Sequence, residues 1–152
     1  MEAVGVVSDR DRVEALFTAF GAERIEAFLS GCSEQLLVTF RGTSDAPTVF
    51  GRPDVASWWA GLKFLAGGPV TVDVALVMAT GPSIVVVLGY SFVRDGRARR
   101  YETVNYCTLR HGALAAWFAS PLERREYAEA WGVADASPAT RRTNKLVGAP
   151  AP

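Results

Sequence analysis

The sequence has little of the chemistry that metal sites, disulfides and nucleotide sites require. It contains two cysteines, Cys32 and Cys107, and one histidine, His111, and their spacing matches no metal-ligand pattern. We therefore expect no bound metal. No glycine-rich loop follows a predicted strand, so we expect no nucleotide and no other cofactor. Two widely separated cysteines are typical of reduced thiols, which favours a cytoplasmic protein.

The sequence also lacks an excess of basic or of acidic residues. The chain carries 16 Lys and Arg against 16 Asp and Glu, so its formal net charge is zero. Without a basic excess, nucleic acid is not an expected partner. No apolar run approaches the roughly 20 residues of a membrane span. The first residues lack the pattern of a signal peptide, so we expect neither a membrane protein nor a secreted one.

The sequence does contain a strand-rich centre. Residues 83–120 predict three consecutive antiparallel strands, since β-branched and aromatic residues fill the runs between two turns. The turns contain Asp95-Gly96 and His111-Gly112, and Gly adopts positive φ freely while Asp and His adopt it more readily than most residues. The predicted strands are 83–93, 101–110 and 113–120.

Helical patterns precede this centre. The first helix begins near Arg10, is capped by Ser8 or Asp9, and ends at Gly21. A second, short helix ends at Gly31. The other predicted elements are strands at 36–40 and 48–50, a loop at 41–47, a helix with Pro53 in its first turn, a strand at 70–77 and a charged helix at 122–131.

This order of elements predicts an α+β domain, because the helices precede a largely antiparallel sheet. A strongly twisted sheet wrapped over helices encloses a pocket at its mouth. At 152 residues, 49% of them apolar, the chain is long enough for one domain with a substantial core. We expect a lead-in at 1–9, the domain at 10–132 and a disordered tail at 133–152.

Three stretches point to a known family. Residues 19–28 form the junction of the first two helices, residues 50–59 form a glycine-led helix start, and residues 105–114 form a strand, a turn and a strand. The pattern, over about residues 10–132, resembles the SnoaL-like polyketide cyclases and ketosteroid isomerases of the nuclear-transport-factor-2-like (NTF2-like) superfamily. The resemblance implies a cone, in which helices pack on a strongly curved antiparallel or mixed sheet around a hydrophobic pocket. It also implies a homodimer formed through the open face of the sheet.

The functional positions of that family are largely unmatched. The general-base aspartate of the isomerases falls nearest Arg41 or Gly42, and the only carboxylate of that stretch, Asp45, comes several residues later. Their first-helix tyrosine falls on Glu14. The pocket histidine of the cyclases falls on Asn105. Their acid after the last strand falls on Ser120, or on Glu123 if the register is shifted. The usual acid and base groups are therefore mostly absent.

Three residues remain as catalytic candidates. Asn105 would donate to a carbonyl or enolate oxygen if its strand turns it toward the pocket. Glu14 would act as acid or base if it points inward, and Tyr101 would act as an acid on the same face as Asn105. Each has a structural alternative: a core amide bonded to neighbouring backbone, a solvated helix charge and a packed aromatic ring.

The expected lining of the pocket is mostly aromatic. Trp58 and Trp59 are adjacent on a helix, about 100° apart, so only one of them can point in a given direction. Cys107 is expected to be an inert buried thiol. The expected substrate-binding residues are Trp58, Trp59, Phe17, Tyr90, Thr103, Cys107, Trp117 and Arg41.

Two functions fit these features. The first is a cyclase or isomerase of secondary metabolism that shapes a hydrophobic, polyketide-like substrate for ring closure by proximity and orientation. A pericyclic step fits the scarcity of acids and bases better than aldol chemistry does. The second is a non-catalytic protein of the same fold, which would be either a small-molecule binder or a dimeric interaction module.

Overall fold

The framework of the computed structural model, which describes residues 6–42 and 46–132, is an open six-stranded sheet. Its strands are β1 (Cys32–Phe40), β2 (Thr48–Gly51), β3 (Thr71–Thr80), β4 (Ser83–Arg94), β5 (Arg97–Arg110) and β6 (Ala113–Pro121). Their order across the sheet is β2-β1-β6-β5-β4-β3. The β1 and β6 strands are parallel, and all other neighbours are antiparallel.

Four α-helices accompany the sheet within the described residues. They are α1 (Asp9–Gly21), α2 (Ile25–Ser30), α3 (Val55–Ala66) and α4 (Arg124–Trp131), and a 3₁₀ turn at Arg52–Asp54 precedes α3. Ser8 caps α1, since its hydroxyl accepts from the Asp11 backbone N–H at 3.1 Å. Gly67 and Gly132 end α3 and α4 in the left-handed conformation. The predicted α+β class is confirmed.

The turns between β4, β5 and β6 explain why these strands are longer than predicted. Asp95 and Gly96 have φ of 53° and 72°, and His111 and Gly112 have φ of 53° and 76°. Positive φ at both positions is the type I′ geometry of two-residue hairpins. Arg94 therefore pairs directly with Arg97, and β5 begins four residues before the predicted position. Once the turn fixes the register of β4 and β5, residues 97–100 pair with β4 although their side chains have a weak preference for strands.

Aromatic side chains fill the concave side of the sheet beneath α1, α2 and α3. Phe20 lies 4.6 Å from Trp59 between ring centroids, and Phe17 lies 5.1 Å from Trp117. Phe28 contacts Phe17, Phe20 and Trp117. All five rings are buried. We call these five residues the aromatic core.

The opposite face of the sheet is partly apolar and carries no helix in the described ranges. Met78, Val85, Tyr106 and Phe118 stand side by side on β3, β4, β5 and β6. Tyr106 is 48% exposed. At one end of this face Arg100 reaches across β4 to Asp73, with 2.9 Å between Nη1 and Oδ1. We call Met78, Val85, Tyr106 and Phe118 the outer apolar row.

Some expectations fall outside this description. Residues 1–5 of the predicted lead-in, Asp45 of the predicted loop, and the predicted tail at 133–152 lie outside the described residues. No helix within the described ranges is long and apolar enough to cross a membrane.

Candidate functional site

An open cleft of about 670 Å³ lies between α3, α4 and the ends of β1 and β4. This volume is within the range of small-molecule sites, roughly 300 to 1,000 Å³. Its lining is mainly aromatic and aliphatic, and we call it the aromatic cleft. The lining residues are Phe40, Thr48, Trp58, Gly61, Leu62, Phe64, Leu65, Arg94, Tyr127 and Trp131.

One wall of the cleft is a stripe along α3. Trp58, Gly61, Leu62 and Leu65 follow the i, i+3, i+4, i+7 spacing that places side chains on one helix face. Trp58 joins this wall to the interior, since its ring lies 5.8 Å from that of Trp117. A Cβ added at Gly61 would meet no atom within 4 Å. The middle of this wall is therefore open space.

The facing wall comes from α4. Tyr127 and Trp131 are one helical turn apart, and Trp131 stacks on Phe92 with 4.6 Å between centroids. Tyr127 meets Tyr101 edge to face at 4.9 Å and lies 6.1 Å from Phe40. These contacts attach α4 to the inner face of the sheet, so that its aromatic side closes one side of the cleft.

The polar groups of the cleft are few. Arg94 lies at its rim, donates from Nη1 to the Trp131 carbonyl, and has its guanidinium 5.9 Å from the Trp131 ring centroid. The Trp131 indole N–H is buried with no hydrogen-bond partner. Burial raises the pKa of Tyr127 to about 12, so its phenol is a neutral donor at physiological pH. The described lining residues include no carboxylate and no imidazole.

Two further tyrosines lie behind Tyr127. The rings of Tyr90 and Tyr101 stack at 5.0 Å with an interplanar angle of 6°. Both side chains are buried, and neither hydroxyl has a partner in hydrogen-bond geometry. Burial raises the pKa of both phenols. Tyr127, Tyr101 and Tyr90 thus form a row of contacting, protonated phenols that extends from the cleft into the core.

Asn105 lies inside the core and away from the cleft lining. It is completely buried, and its Nδ2 donates to the Val86 carbonyl at 3.1 Å and to Thr103 Oγ1 at 2.9 Å. A further contact joins Nδ2 to the Thr103 carbonyl at 3.2 Å. Its Oδ1 accepts from Trp117 Nε1 at 2.7 Å. The amide is thus fully used within the protein, which is the arrangement of a structural core asparagine.

The other residues expected from the sequence are distributed as follows. Glu14 lies on the solvent side of α1, 45% exposed in its side chain, and pairs with Arg10 at 3.1 Å. Arg41 is exposed, and its backbone N–H donates to the Ala119 carbonyl. Trp58 lines the cleft, and Tyr90 and Tyr101 lie behind it. The residues placed in the core are Phe17, Trp59, Thr103, Cys107 and Trp117.

Several lining residues were not expected from the sequence. Arg94 falls in a predicted turn. Tyr127 and Trp131 fall in a predicted helix whose many charged residues indicate exposure to solvent. Their i, i+4 spacing is a signal that this helix has an aromatic face. The signal does not reveal which surface that face covers, because the contact with Tyr101 and Phe92 is long-range.

Comparisons with known proteins identify the fold. No protein-family model and no curated protein matches this sequence. Solved structures do match. IdmH from Streptomyces antibioticus, described as a candidate polyketide cyclase, has a TM-score of 0.68 at 16% identity, over 83% of this chain and 99% of IdmH. An NTF2-like protein of unknown function from Burkholderia pseudomallei K96243 has a TM-score of 0.65 at 13% identity, over 81% and 97%.

A third match has a different described activity. AclR from Streptomyces galilaeus, described as a candidate hydroxylase, has a TM-score of 0.64 at 10% identity, over 82% of this chain and 95% of AclR. At such identities the likeness shows the fold alone. The fold is NTF2-like, as the sequence resemblance implied, and proteins with this fold carry different activities.

The environment of Asn105 generates a stability prediction. Asn105→Ala leaves the buried Trp117 N–H without an acceptor, and an unpaired buried donor costs about 1–3 kcal/mol. We expect the free energy of unfolding, measured by urea denaturation, to fall by at least that amount. In a Trp117→Phe background, which lacks the N–H, the same change should cost less. Equal costs in both backgrounds would contradict the proposed coupling.

The buried phenol of Tyr127 generates a pH prediction. Its pKa is raised from 10.0 to about 12 in the folded protein, so the folded state holds this proton more tightly than the unfolded state. The resulting stability is complete below pH 10 and is lost as the pH rises toward 12. We expect a loss on the order of 2 kcal/mol from Tyr127 in this window, measured by chemical denaturation. The loss should be smaller in Tyr127→Phe; an equal loss would exclude Tyr127 as its source.

Proposed function

We propose that this protein binds a hydrophobic, polyketide-like small molecule in the aromatic cleft and promotes its ring closure. The observation that carries the proposal is the lining of the cleft, in which apolar walls from α3 and α4 face each other across about 670 Å³. A flexible apolar chain held between two such walls loses conformational freedom before the reaction, which supplies proximity and orientation.

The polar groups suit a reaction of this kind. Tyr127, a protonated phenol, would donate a hydrogen bond to a substrate carbonyl and stabilise negative charge that develops on its oxygen. No carboxylate or imidazole of the described lining is available to abstract a proton. Closure driven by substrate shape, including a pericyclic step, therefore fits the cleft better than aldol chemistry does. Candidate polyketide cyclases among proteins of this fold support the same substrate class.

A second candidate function is binding without turnover. The observation that favours it is the same absence of an acid–base pair among the described lining residues. In that case the protein would carry or sense a small hydrophobic molecule.

We also propose that residues 10–132 act as one domain in the cytoplasm, which agrees with two buried free thiols, Cys32 and Cys107.

We further propose a homodimer formed through the outer apolar row. Met78, Tyr106 and Phe118 are exposed on β3, β5 and β6, with Val85 of β4 between Met78 and Tyr106, and apolar surface of this kind is typical of protein interfaces. The ion pair of Asp73 and Arg100 flanks the row as a polar rim would. Two copies related by a two-fold axis would each cover the row of the other.

Gly61 allows the cleft to be closed without disturbing the core. Gly61→Phe places a ring in open space in the middle of the α3 wall, and replacing a helical glycine also favours the helix. We expect the melting temperature to be kept or raised. Binding of the neutral fluorescent probe N-phenyl-1-naphthylamine should weaken by about tenfold or more. Gly61→Ala is the control, because it gives at least as large a helix gain with little added volume, and its binding should match that of the wild type.

The same variants separate the two functions. Linear polyketide thioesters incubated with the wild type should give cyclised products by mass spectrometry, and Gly61→Phe should abolish them. Thermal stabilisation by these compounds without any product would favour the non-catalytic binder. Unchanged probe binding in Gly61→Phe would exclude the aromatic cleft as the site.

The proposed dimer is tested at the centre of the outer apolar row. Tyr106→Glu places a charge where the interface would bury it, and burying an unpaired charge is costly. We expect a wild-type dimer and a monomeric variant in light scattering coupled to size-exclusion chromatography. Leu65→Glu, on the helical layer, is the control and should remain dimeric. A monomeric wild type would contradict the proposal.

A further inference from the structure

We propose that the ligand of the aromatic cleft is an acid, a hydrophobic molecule whose carboxylate, enolate or phenolate is bound by Arg94. The inference rests on the proposed function of the cleft as a ligand site. It adds the ionic class of the ligand and names the residue that selects it.

Strand geometry directs Arg94 toward the cleft. Alternate residues of a strand share a face, and Tyr90 and Phe92, which precede Arg94 at this spacing, are buried on the inner face. Arg94 is the last residue of β4 and pairs with Arg97 across the type I′ turn. It is half-buried, and its position on a paired strand end holds the side chain at the cleft rim.

The charge of Arg94 is not balanced by a carboxylate in the described part of the chain. Its recorded contacts are the hydrogen bond to the Trp131 carbonyl and the contact with the Trp131 ring. By contrast, Arg100 pairs with Asp73 and Arg10 pairs with Glu14. A guanidinium has five N–H donors, so most donors of Arg94 remain available to a ligand.

The remaining polar side chains of the cleft are also donors. The Trp131 indole N–H is buried beside Tyr101, and because an indole can only donate, Trp131 adds no side-chain acceptor to the cleft. Tyr127 is protonated at neutral pH, as phenols with an ordinary pKa of 10.0 are, and burial raises its pKa further. Thr48 can donate or accept. Since the described lining offers no side chain that only accepts, the matching ligand is rich in acceptors and negatively charged.

The apolar walls would strengthen this selectivity. Hydrogen bonds between a guanidinium and a carboxylate are charge-assisted and roughly twice as strong as neutral ones. An ionic contact is also stronger beside low-dielectric walls than in water. A neutral ligand of the same shape would keep the apolar contacts and lose the ionic one.

A pair of isosteric probes tests the inference. 2-Naphthoate and 2-naphthamide share shape and ring system, and they differ in charge at neutral pH. We expect the wild type to bind naphthoate about tenfold more tightly, measured by quenching of tryptophan fluorescence, since Trp58 and Trp131 line the cleft. In Arg94→Gln the two affinities should become equal within about twofold, with the naphthamide affinity unchanged.

Three variants serve as controls. Arg97→Gln removes an exposed charge from the other side of the same turn and should keep the preference. Arg94→Lys keeps the charge but not the planar fork, so it should keep part of the preference. Gly61→Phe should weaken both probes, which assigns them to the cleft.

The outcomes separate this inference from the proposed function. Equal affinities in the wild type, or a preference that survives in Arg94→Gln, would overturn the role of Arg94 and leave the cleft as a ligand site. Failure of both probes to bind the wild type would overturn the role of Arg94 together with the proposed use of the cleft. The ratio of the two affinities is the decisive readout, because loss of the Trp131 contact alone would weaken both probes equally.

Discussion

The hydrogen bond from Trp117 Nε1 to Asn105 Oδ1 is the contact on which the interior arrangement depends. It fixes a large indole across the concave side of the sheet, where the ring contacts Phe17, Phe20 and Phe28. A core closed this tightly leaves no room for a ligand beneath α1, and rearranging it would leave buried polar groups unpaired. The aromatic cleft lies instead at the edge of the helical layer, between α3 and α4.

The position of the cleft decides which polar side chains a ligand could contact. The buried side chains of Asn105 and Thr103 hydrogen-bond to each other, and Asn105 also accepts a hydrogen bond from Trp117. Arg94, which lies farther out at the rim of the cleft, keeps guanidinium donors that the protein does not use. Unpaired polar atoms also lie in the core, at Trp59 Nε1 and at the hydroxyls of Tyr90 and Tyr101, so Arg94 differs from them in lying where a ligand can approach. Proteins of one fold can differ in activity through the position of such a cleft without any change in topology.

Local sequence signals were enough to predict most of the fold. The Asp95-Gly96 and His111-Gly112 turns, the cap at Ser8 and the glycine after α2 each act within a few residues, so the turns and the ends of α1 and α2 were predicted closely. The starts of β1 and β5 were each predicted four residues late, because long-range pairing sets them. The lining of the aromatic cleft follows less directly from the sequence, because it depends on contacts between distant residues. Strand alternation grouped Asn105 with Tyr101 and Thr103, and the family resemblance implied that this side faces inward, but the partner of Asn105 on β6 is set by register. Likewise, nothing local to α4 shows that its aromatic face packs beside Tyr101.

The position of Arg94 follows from the same alternation that builds the core. Residues Tyr90, Phe92 and Arg94 all belong to the inner face of β4, and burial decreases along them toward the turn. An arginine two residues earlier would sit among buried rings, and its charge would be costly there. One residue in either direction would place it on the outer face, away from the cleft. The end of β4 is thus where an inward-facing cation remains solvated enough to be tolerated and close enough to apolar walls to select a ligand.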